Sequence, residues 1–489
     1  MSPVSPSAEL LVVALRADAD GRLTDARERA LAAIAQGVGG FVLFGGDQDA
    51  VRAFTKEMQQ RTRTPLLIGA DLERGAGQQF TGATGLPPLA ALSWLGDAEA
   101  LRRAARLTAR EARTMGVNWD LAPVVDLEVA DEAALVGTRS LGADPVVVGR
   151  MAAEWITACQ AEGVLACAKH FPGLGRVALH ADDAPIVRAD RDALHATDLV
   201  AFRAAIDAGV ATMMTAHAAY PALDPGGAPA TFSRELLQWL LRQQMRYDNV
   251  IVAHLPTTLR GPNAPPDEGE AAVRAIAAGC DVLLAPSDVA AVAGALDRAL
   301  AERRLDPERV RQSVRRRLKW AQWAAPPNDW RRPSASDAAW GAQLCDRVVH
   351  VVRGAPPALA RTAELLVVDA ADAETHAPDG FLDTLRTAGY DARTVAGAPS
   401  ADSGTPLVVG VFPGAAAEHG DVDALDDVGA RVKAACADAV QAGRMPVVVL
   451  FAHPRLASAV PEEVPLLCAW TGDVAMQRAA ARWLAARRA

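Results

Sequence analysis

The chain of 489 residues contains very little lysine. Lys and Arg together number 50, yet the only lysines are Lys56, Lys169, Lys319 and Lys433. Arginine therefore supplies almost every solvated positive charge, and a compact ammonium group binds differently from a planar guanidinium. Lys169 ends the apolar run VLACA and is followed by His170 and a Phe-Pro-Gly break. We expect a functional site at this position, with a salt-bridged strand end as the alternative.

Other absences exclude whole classes of protein. The six cysteines form no C-x-x-C pair, which argues against a disulfide framework or a zinc knuckle. The net charge is -9, and the one basic run, at 309–320, has the pattern of a helix face, so we expect no nucleic-acid partner. The N-terminus lacks a basic leader, and its apolar run is too short for a signal peptide or a membrane span. These features predict a cytoplasmic protein with no membrane partner.

Short apolar runs alternate with amphipathic helical stretches along the first two thirds of the chain. This alternation is typical of a closed parallel barrel, and it predicts an α/β fold with an N-terminal (β/α)8 TIM-like barrel over residues 1–322. An irregular or reversed strand near the start is compatible with the pattern. The eight runs are 9–15, 40–45, 65–71, 117–126, 164–170, 211–217, 249–254 and 281–286.

The remainder of the chain predicts a second, smaller domain. Residues 324–337 are polar and Pro-rich, so we interpret 323–360 as a linker and a connecting helix. Strand and helix patterns then alternate again, which indicates a C-terminal α/β sandwich domain with a parallel sheet over residues 361–489. We expect this domain to pack beside the barrel without contributing a catalytic side chain to the barrel mouth.

Several barrel strands are predicted to end in polar or ionisable residues. The carboxyl ends of the strands in a (β/α)8 barrel form the face where chemistry occurs, so these side chains are expected to converge on one mouth. The residues are Asp71, Asp126, Lys169, His170, His217 and His254.

Six ordered motifs give the chain a family likeness. They resemble, in order and spacing, the N-terminal barrel of family 3 glycoside hydrolases, and most of all the bacterial β-N-acetylglucosaminidases of cell-wall recycling. The likeness covers about residues 8–322, and residues 450–470 resemble part of the C-terminal domain of two-domain members. The motifs are GADLERG (69–75), NWDLAPVVDLE (118–128), GTRSLGADP (137–145), KHFPGLG (169–175), AHAAYPALDP (216–225) and PATFSRELLQWLLR (229–242).

The resemblance implies a sugar-binding role for several strand-end residues. Asp71, Arg139, Lys169 and His170 match positions that hold the hydroxyls of a terminal sugar, and His217 matches a further histidine at the mouth. A carboxylate accepts hydroxyl protons while cations donate, which suits that role. An internal ion pair is the structural alternative for Arg139. The expected ligand is a small carbohydrate or a muropeptide, and no cofactor is implied.

The catalytic positions depart from the family pattern. The resemblance implies an Asp nucleophile just after the seventh strand, but this chain has His254 there, followed by Leu255. It also implies an Asp-x-His acid/base pair, which is inverted here to His180, Ala181 and Asp182. Retaining glycosidases need both a carboxylate nucleophile and a proton donor. We therefore predict an inactive or very weak member of the family that keeps its glycan site or serves as a scaffold with a protein partner.

Two other hypotheses about the function remain open. One is an active retaining enzyme that recruits Asp182 or Asp183 from the loop after His170. The other is a metal-dependent hydrolase, because His170, His217 and His254 end three successive strands and could bind a divalent metal together with an aspartate. Histidine has many structural uses, so our interpretation includes no metal site.

Overall fold

The computed structural model describes most of the chain. His180, Ala181, Asp182 and Asp183 lie outside the described residues. Those described are residues 6–129, 136–177, 185–255, 265–324, 334–369, 377–397, 406–413 and 422–487.

Eight parallel strands close into a barrel in chain order, with β8 pairing back to β1. The predicted (β/α)8 fold is thus confirmed. The first two strands are parallel, with Val12 opposite Gly40, so the early strands include no reversed member. The strands are β1 Leu11–Arg16, β2 Gly40–Phe44, β3 Leu67–Ala70, β4 Trp119–Asp120, β5 Leu165–Phe171, β6 Thr212–Thr215, β7 Val250–His254 and β8 Val282–Leu284.

Helices with well-defined start signals surround the barrel. The Asp97 side chain accepts a hydrogen bond from the Ala100 amide at the start of α4, and Asp144 caps α5, which has Pro145 in its first turn. The helices are α1 Thr24–Gln36, α2 Gln48–Arg61, α3 Leu89–Leu95, α4 Ala98–Thr114, α5 Pro145–Ala161, α6 Arg191–Ala196, α7 Asp198–Asp207, α8 Glu268–Ala278, α9 Val289–Ala301 and α10 Pro307–Trp323, with a π-helix at Glu235–Gln244.

Large side chains fill the barrel interior below its mouth. Trp119 is fully buried, and its indole Nε1 donates to the Thr212 hydroxyl at 2.9 Å. Gly69 on the neighbouring strand leaves room for this ring, because a Cβ there would lie 3.0 Å from a Trp119 ring carbon. Within the described residues, the barrel interior is therefore a packed core and not a channel.

The second domain is built on a six-stranded sheet with helices packed on it. The sheet order is β11-β10-β12-β13-β14-β9, and the edge strand β9 runs antiparallel to β14. The described strands within 361–489 pair in parallel, as predicted, and the antiparallel edge strand lies before that range. The elements are β9 His350–Arg353, β10 Thr362–Asp369, β11 Asp391–Val395, β12 Pro406–Phe412, β13 Met445–Leu450, β14 Leu466–Cys468, α11 Ala335–Val348, α12 Asp379–Thr387, α13 Val422–Gln441 and α14 Val474–Ala485.

The segment 323–360 does more than connect the two domains. It contains α11 and also β9, which supplies the antiparallel edge of the second sheet. Within the described residues, no helix is long and apolar enough to cross a membrane.

The two domains pack closely against each other. Ala90 and Ala91 of α3 are buried in the apolar core of the second domain, and Trp94 stacks on His350 with ring centroids 4.0 Å apart. The Arg455 guanidinium, from the second domain, forms an ion pair with Glu128 beside the barrel mouth. Side chains of the second domain thus reach the rim of the mouth, and the expectation that this domain contributes no catalytic side chain stays a prediction.

Candidate functional site

Five of the six predicted strand-end residues meet around one cavity of ≈ 290 Å³ at the barrel mouth, and Asp126 does not line it. Asp71 comes directly after β3, Lys169 and His170 belong to β5, and His217 follows β6. Apolar side chains from several strands also line the cavity. The ionisable residues in the lining are Asp71, Arg139, Lys169, His170, His217 and His254.

Four of the side chains here form a compact network of ion pairs, which we call the charged cluster: Asp71, Glu73, Arg139 and Lys169. The Lys169 Nζ lies 2.6 Å from Asp71 Oδ1 and 2.7 Å from Glu73 Oε1. Arg139 donates to both oxygens of Glu73, from Nε at 2.9 Å and from Nη2 at 2.8 Å. The Lys169 and Glu73 side chains are only 2% and 4% exposed. Each buried charge is therefore compensated by an opposite one, which offsets its desolvation.

The pKa directions reflect this pairing. Burial alone would raise the pKa of Glu73, but Arg139 and Lys169 outweigh it and hold that pKa well below its usual value. Burial would lower the pKa of Lys169, but Asp71 and Glu73 hold it above its usual value. Glu73, Lys169 and Arg139 therefore remain charged at neutral pH.

A buried carboxylate fixes His170 beside the charged cluster. The Asp126 Oδ2 lies 2.7 Å from His170 Nδ1, and Asp126 Oδ1 accepts from the backbone amides of His170 and Leu174. Asp126 is completely buried. No described residue bonds the second ring nitrogen of His170, so Nε2 is the one available to a ligand at the cavity.

The opposite side of the cavity carries two imidazoles, which we call the imidazole pair: His217 and His254. Their ring centroids are 6.3 Å apart. His217 Nδ1 lies 2.9 Å from the Thr231 hydroxyl, which itself donates to the carbonyl of Ala216. We therefore assign the ring proton of His217 to Nδ1. Its Nε2 is a buried acceptor with no partner among the described residues.

Both members of the imidazole pair are held neutral. Burial, together with the nearby His254 and His170, lowers the pKa of His217 to about 3. Partial burial of the ring also lowers the pKa of His254, although Asp71 and Glu268 oppose the shift. At neutral pH the imidazole pair thus offers uncharged hydrogen-bonding nitrogens to a ligand.

Sequence reasoning missed two carboxylates near this site. Glu73 stands in the GADLERG motif two residues after Asp71, and that spacing after a strand end was the available signal. Asp120 ends β4, where it is fully buried and accepts from Trp155 Nε1 at 3.1 Å. Burial raises the pKa of Asp120 to about 8, opposed by the Trp155 bond and by Lys169. Its other oxygen has no partner among the described residues.

Not every predicted site residue can be located. His180 and Asp182, predicted as the inverted acid/base pair, lie outside the described residues. Within the described part of the chain, no group of three or more His, Cys, Asp or Glu side chains is arranged to hold a metal ion.

A second cavity of ≈ 330 Å³ adjoins the first and shares Asp71 and Arg139 with it. Glu73 also lines this second cavity, and the second domain contributes His453 and Arg455. The barrel mouth is therefore bordered by both domains.

A family model described as the glycosyl hydrolase family 3 N terminal domain matches residues 8–319, which is well over half of the chain. The chain belongs to glycoside hydrolase family 3. The predicted family is thus confirmed, and the match covers the barrel together with the strand ends that form the mouth.

Two bacterial proteins are similar in sequence to part of the chain. The chain is 36% identical over 258 residues to a "Beta-hexosaminidase" of Thiobacillus denitrificans, covering 50% of this chain and 71% of that protein. It is 33% identical over 296 residues to a "Beta-N-acetylglucosaminidase/beta-glucosidase" of Cellulomonas fimi, covering 58% of this chain. The match spans only about half, 51%, of the Cellulomonas protein.

Solved structures extend the likeness to the second domain. A glycoside hydrolase family 3 β-N-acetylglucosaminidase from Paenibacillus sp. str. FPU-7 superposes with a TM-score of 0.82 at 25% identity, covering 100% of this chain and 97% of that one. The β-N-acetylhexosaminidase of Beutenbergia cavernae, at 28% identity and a TM-score of 0.54, matches 66% of this chain. The family 3 barrel and the smaller α/β domain thus occur together in a relative of similar length.

Proposed function

We propose that this family 3 protein binds a β-linked N-acetylglucosamine-type sugar in the strand-end cavity and hydrolyses it very weakly or not at all. The observation that carries the proposal is the position of His254, the last residue of β7 and part of the cavity lining. The family resemblance implies an aspartate nucleophile at this position. The proposal therefore separates binding from chemistry, and each part has its own support.

The charged cluster supports the binding part. Asp71 is the most accessible carboxylate of the cluster, with its side chain 29% exposed, and only its Oδ1 bonds Lys169. Its second oxygen can accept from sugar hydroxyls, while Arg139 and Lys169 can donate to ring substituents. The ion pairs hold these groups in place before a ligand arrives, which reduces the ordering cost of binding.

The residues that line the cavity support the second part of the proposal, which is weak or absent hydrolysis. A retaining glycosidase needs a carboxylate to attack the anomeric carbon. Among the described residues that line the cavity, Asp71 is the only carboxylate, and it is bonded to Lys169. A neutral imidazole at His254 cannot stabilise an oxocarbenium ion as an anion does. General acid catalysis alone contributes only about 10²–10⁴-fold, so it does not replace the covalent step.

Two measurements on the full chain test the proposal. Calorimetry with N-acetylglucosamine should detect modest affinity, because a few charge-assisted hydrogen bonds offset only part of the ordering cost. A chromogenic aryl β-N-acetylglucosaminide should be turned over at or barely above background. No binding at millimolar sugar would remove the glycan-binding proposal and leave a scaffold or a partner-binding role.

The activity assay also separates the two alternatives. Robust turnover that is lost on Asp182→Asn or Asp183→Asn would favour an enzyme with a substitute carboxylate. Robust turnover that a chelator removes would favour a metal-dependent hydrolase. In either case the inactivity proposed here would be wrong.

A further inference from the structure

A third cavity lies at the end of the barrel opposite the mouth, and we call it the base cavity. Its walls come from α2, from the end of α4 and from the residues between α4 and β4, and Ala324 lines it after α10. Val117 and Asn118 come just before β4, so the cavity lies at the amino ends of the strands. Its volume of ≈ 370 Å³ is within the roughly 300–1,000 Å³ typical of small-molecule sites. Among the described residues, it shares no lining residue with the two cavities at the mouth.

The neutral polar side chains of the base cavity are bonded to the backbone. The Asn118 side chain accepts from a backbone amide at 2.8 Å and donates to the Leu66 carbonyl at 3.0 Å. The Gln59 side chain accepts from the Leu66 amide at 3.2 Å and donates to its carbonyl at 3.1 Å. The Thr55 hydroxyl donates to the Met115 carbonyl at 2.6 Å. Because these groups already bond within the protein, the wall that they form suits the apolar part of a ligand.

The charged side chains of the base cavity are all cations among the described residues: Arg52, Lys56 and Arg113. Arg52 pairs with Asp49 at 2.9 Å, whereas no described carboxylate forms an ion pair with Lys56 or Arg113. Arg113 Nη1 donates to the Glu162 carbonyl at 2.5 Å, and the Glu162 carboxylate itself pairs with another arginine at 2.8 Å. Lys56 is exposed. In a chain of net charge -9, the cavity therefore has a local excess of positive charge.

This wall favours a ligand with an apolar body and a single negative charge. A carboxylate accepts charge-assisted hydrogen bonds from both an ammonium and a guanidinium group. An aromatic body fits better than a flexible chain, because cations also contact ring faces and because a rigid ring loses less freedom on binding. A neutral sugar fits poorly, since its hydroxyls would face side chains that already bond elsewhere.

We propose that the base cavity binds a small aromatic carboxylate, whose ring packs against the apolar wall and whose carboxylate is held by Lys56 and Arg113. This site is independent of the function proposed above. The amino ends of barrel strands serve stability and not catalysis, and no group of the base cavity reaches the sugar site. A ligand there should therefore leave the affinity for N-acetylglucosamine unchanged.

Calorimetry on the full chain with three probes tests this inference. The probes are indole-3-acetate, its neutral amide indole-3-acetamide, and octanoate, which keeps the carboxylate but has no ring. Indole-3-acetate should bind with a Kd of about 1 mM or tighter, as expected for a ligand of this size. Indole-3-acetamide should bind at least about 10-fold more weakly, because it lacks the charge that pairs with the two cations. Octanoate should also bind more weakly than indole-3-acetate.

Variants of the two cations identify the groups that hold the carboxylate. Lys56→Gln should weaken indole-3-acetate binding about 2- to 5-fold, the value of an exposed ion pair. Arg113→Gln should weaken it about 10-fold, because Arg113 is half-buried. Neither change should alter the affinity for indole-3-acetamide. Lys433→Gln is the matched control, because Lys433 is exposed on α13 and lines none of the three cavities. Circular dichroism should show all three variants folded.

The outcomes separate this inference from the proposed function. Equal affinity for indole-3-acetate and its amide, or unchanged affinity for indole-3-acetate in both Lys56→Gln and Arg113→Gln, would overturn the inference. Tighter binding of octanoate would overturn the aromatic body. Failure of all three probes to bind at millimolar concentration would remove the site. The affinity for N-acetylglucosamine, measured with and without indole-3-acetate, tests the proposed function separately, and its loss in the presence of indole-3-acetate would place the probe in the sugar site instead.

Discussion

The polar groups on the two sides of the strand-end cavity differ in how fully they are paired with other side chains. On the charged side, Glu73 accepts from Arg139 through both of its oxygens, and Lys169 bridges Glu73 and Asp71. On the imidazole side, His217 keeps a buried Nε2 without a described partner, and His254 stands at the open end of β7. The buried charges on the charged side are paired before a ligand binds, whereas the imidazole side keeps a buried nitrogen that has no described partner.

We infer from this difference that removing a side chain costs a different amount of stability on each side. A network of buried charges loses much of its stability if one member is removed, because the others are left uncompensated. A neutral imidazole at the rim of a cavity carries no such penalty. A substitution within the charged cluster should therefore cost more stability than a substitution of His254.

The largest expected effect is on folding. Glu73→Gln removes the buried anion that pairs with both Lys169 and Arg139, so we expect the free energy of unfolding at pH 7 to fall by about 3–5 kcal/mol. Because the pKa of Glu73 is depressed in the folded state, its contribution is present above the unfolded pKa of about 4.3 and is lost as pH falls through the folded value. The difference in the free energy of unfolding between the wild type and Glu73→Gln should therefore become smaller at acidic pH. Urea unfolding at several pH values measures this.

The control for that measurement is Glu28→Gln. Glu28 is exposed, and no described residue hydrogen-bonds its side chain, so its replacement should change stability by less than about 0.5 kcal/mol. A loss on Glu73→Gln no larger than that of the control would show that the charged cluster does not stabilise the fold.

The next effect is on binding. Lys169→Ala should weaken N-acetylglucosamine binding by about 1.5–3 kcal/mol, the net value of a hydrogen bond to a charged group. Lys56→Ala is the control, because Lys56 is exposed on α2 and lines a different cavity that includes Asn118, just before β4. Calorimetry should be done at a temperature at which circular dichroism shows both variants folded. Unchanged N-acetylglucosamine affinity in Lys169→Ala would show that Lys169 takes part in the ion pairs but does not bind the sugar.

A smaller effect concerns pH and the imidazole side. The pKa of His217 is about 3 in the folded state and about 6.5 in the unfolded state. At pH values between the two, the unfolded chain binds a proton at this histidine and the folded chain does not. Stability should therefore fall by about 1–2 kcal/mol from this group between pH 7 and pH 5. His217→Gln should remove that part of the loss, which urea titration at the two pH values detects.

Exposed His195 provides the comparison for His217. His195→Gln should leave the pH dependence as it is in the wild type. If His217→Gln and His195→Gln behave alike, the neutral, buried state assigned to His217 is wrong.

The smallest expected effect is on turnover. His254→Asp alone should not restore hydrolysis of aryl β-N-acetylglucosaminides, because the family resemblance implies that the acid/base pair at His180 and Asp182 is inverted as well. Combining it with His180→Asp and Asp182→His supplies both groups in the family order, and this triple variant is the one in which we expect measurable turnover. Full activity in the single variant would show that His254 is the sole defect and that the cavity is otherwise a working active site.

Much of the site was predictable from individual residues. Lys169 was identifiable because lysine is scarce and an apolar run ends there, and His254 because it stands where the family resemblance implies an aspartate. The pairing of Lys169 with Glu73 was not predictable, because it depends on how the chain folds back after β3. The protonation of His217 also depends on tertiary structure, since its partner Thr231 lies in a separate turn after β6.

The sequence by itself determined the barrel, the order of its strands and the residue types at their ends, because these follow from local periodicity and the parallel topology that periodicity implies. Only the tertiary structure decided that β9 joins the second sheet and that Arg455 reaches Glu128, 327 positions away in the chain. Such contacts depend on how two separately folded surfaces pack, and no local pattern of hydrophobic and polar residues encodes that packing.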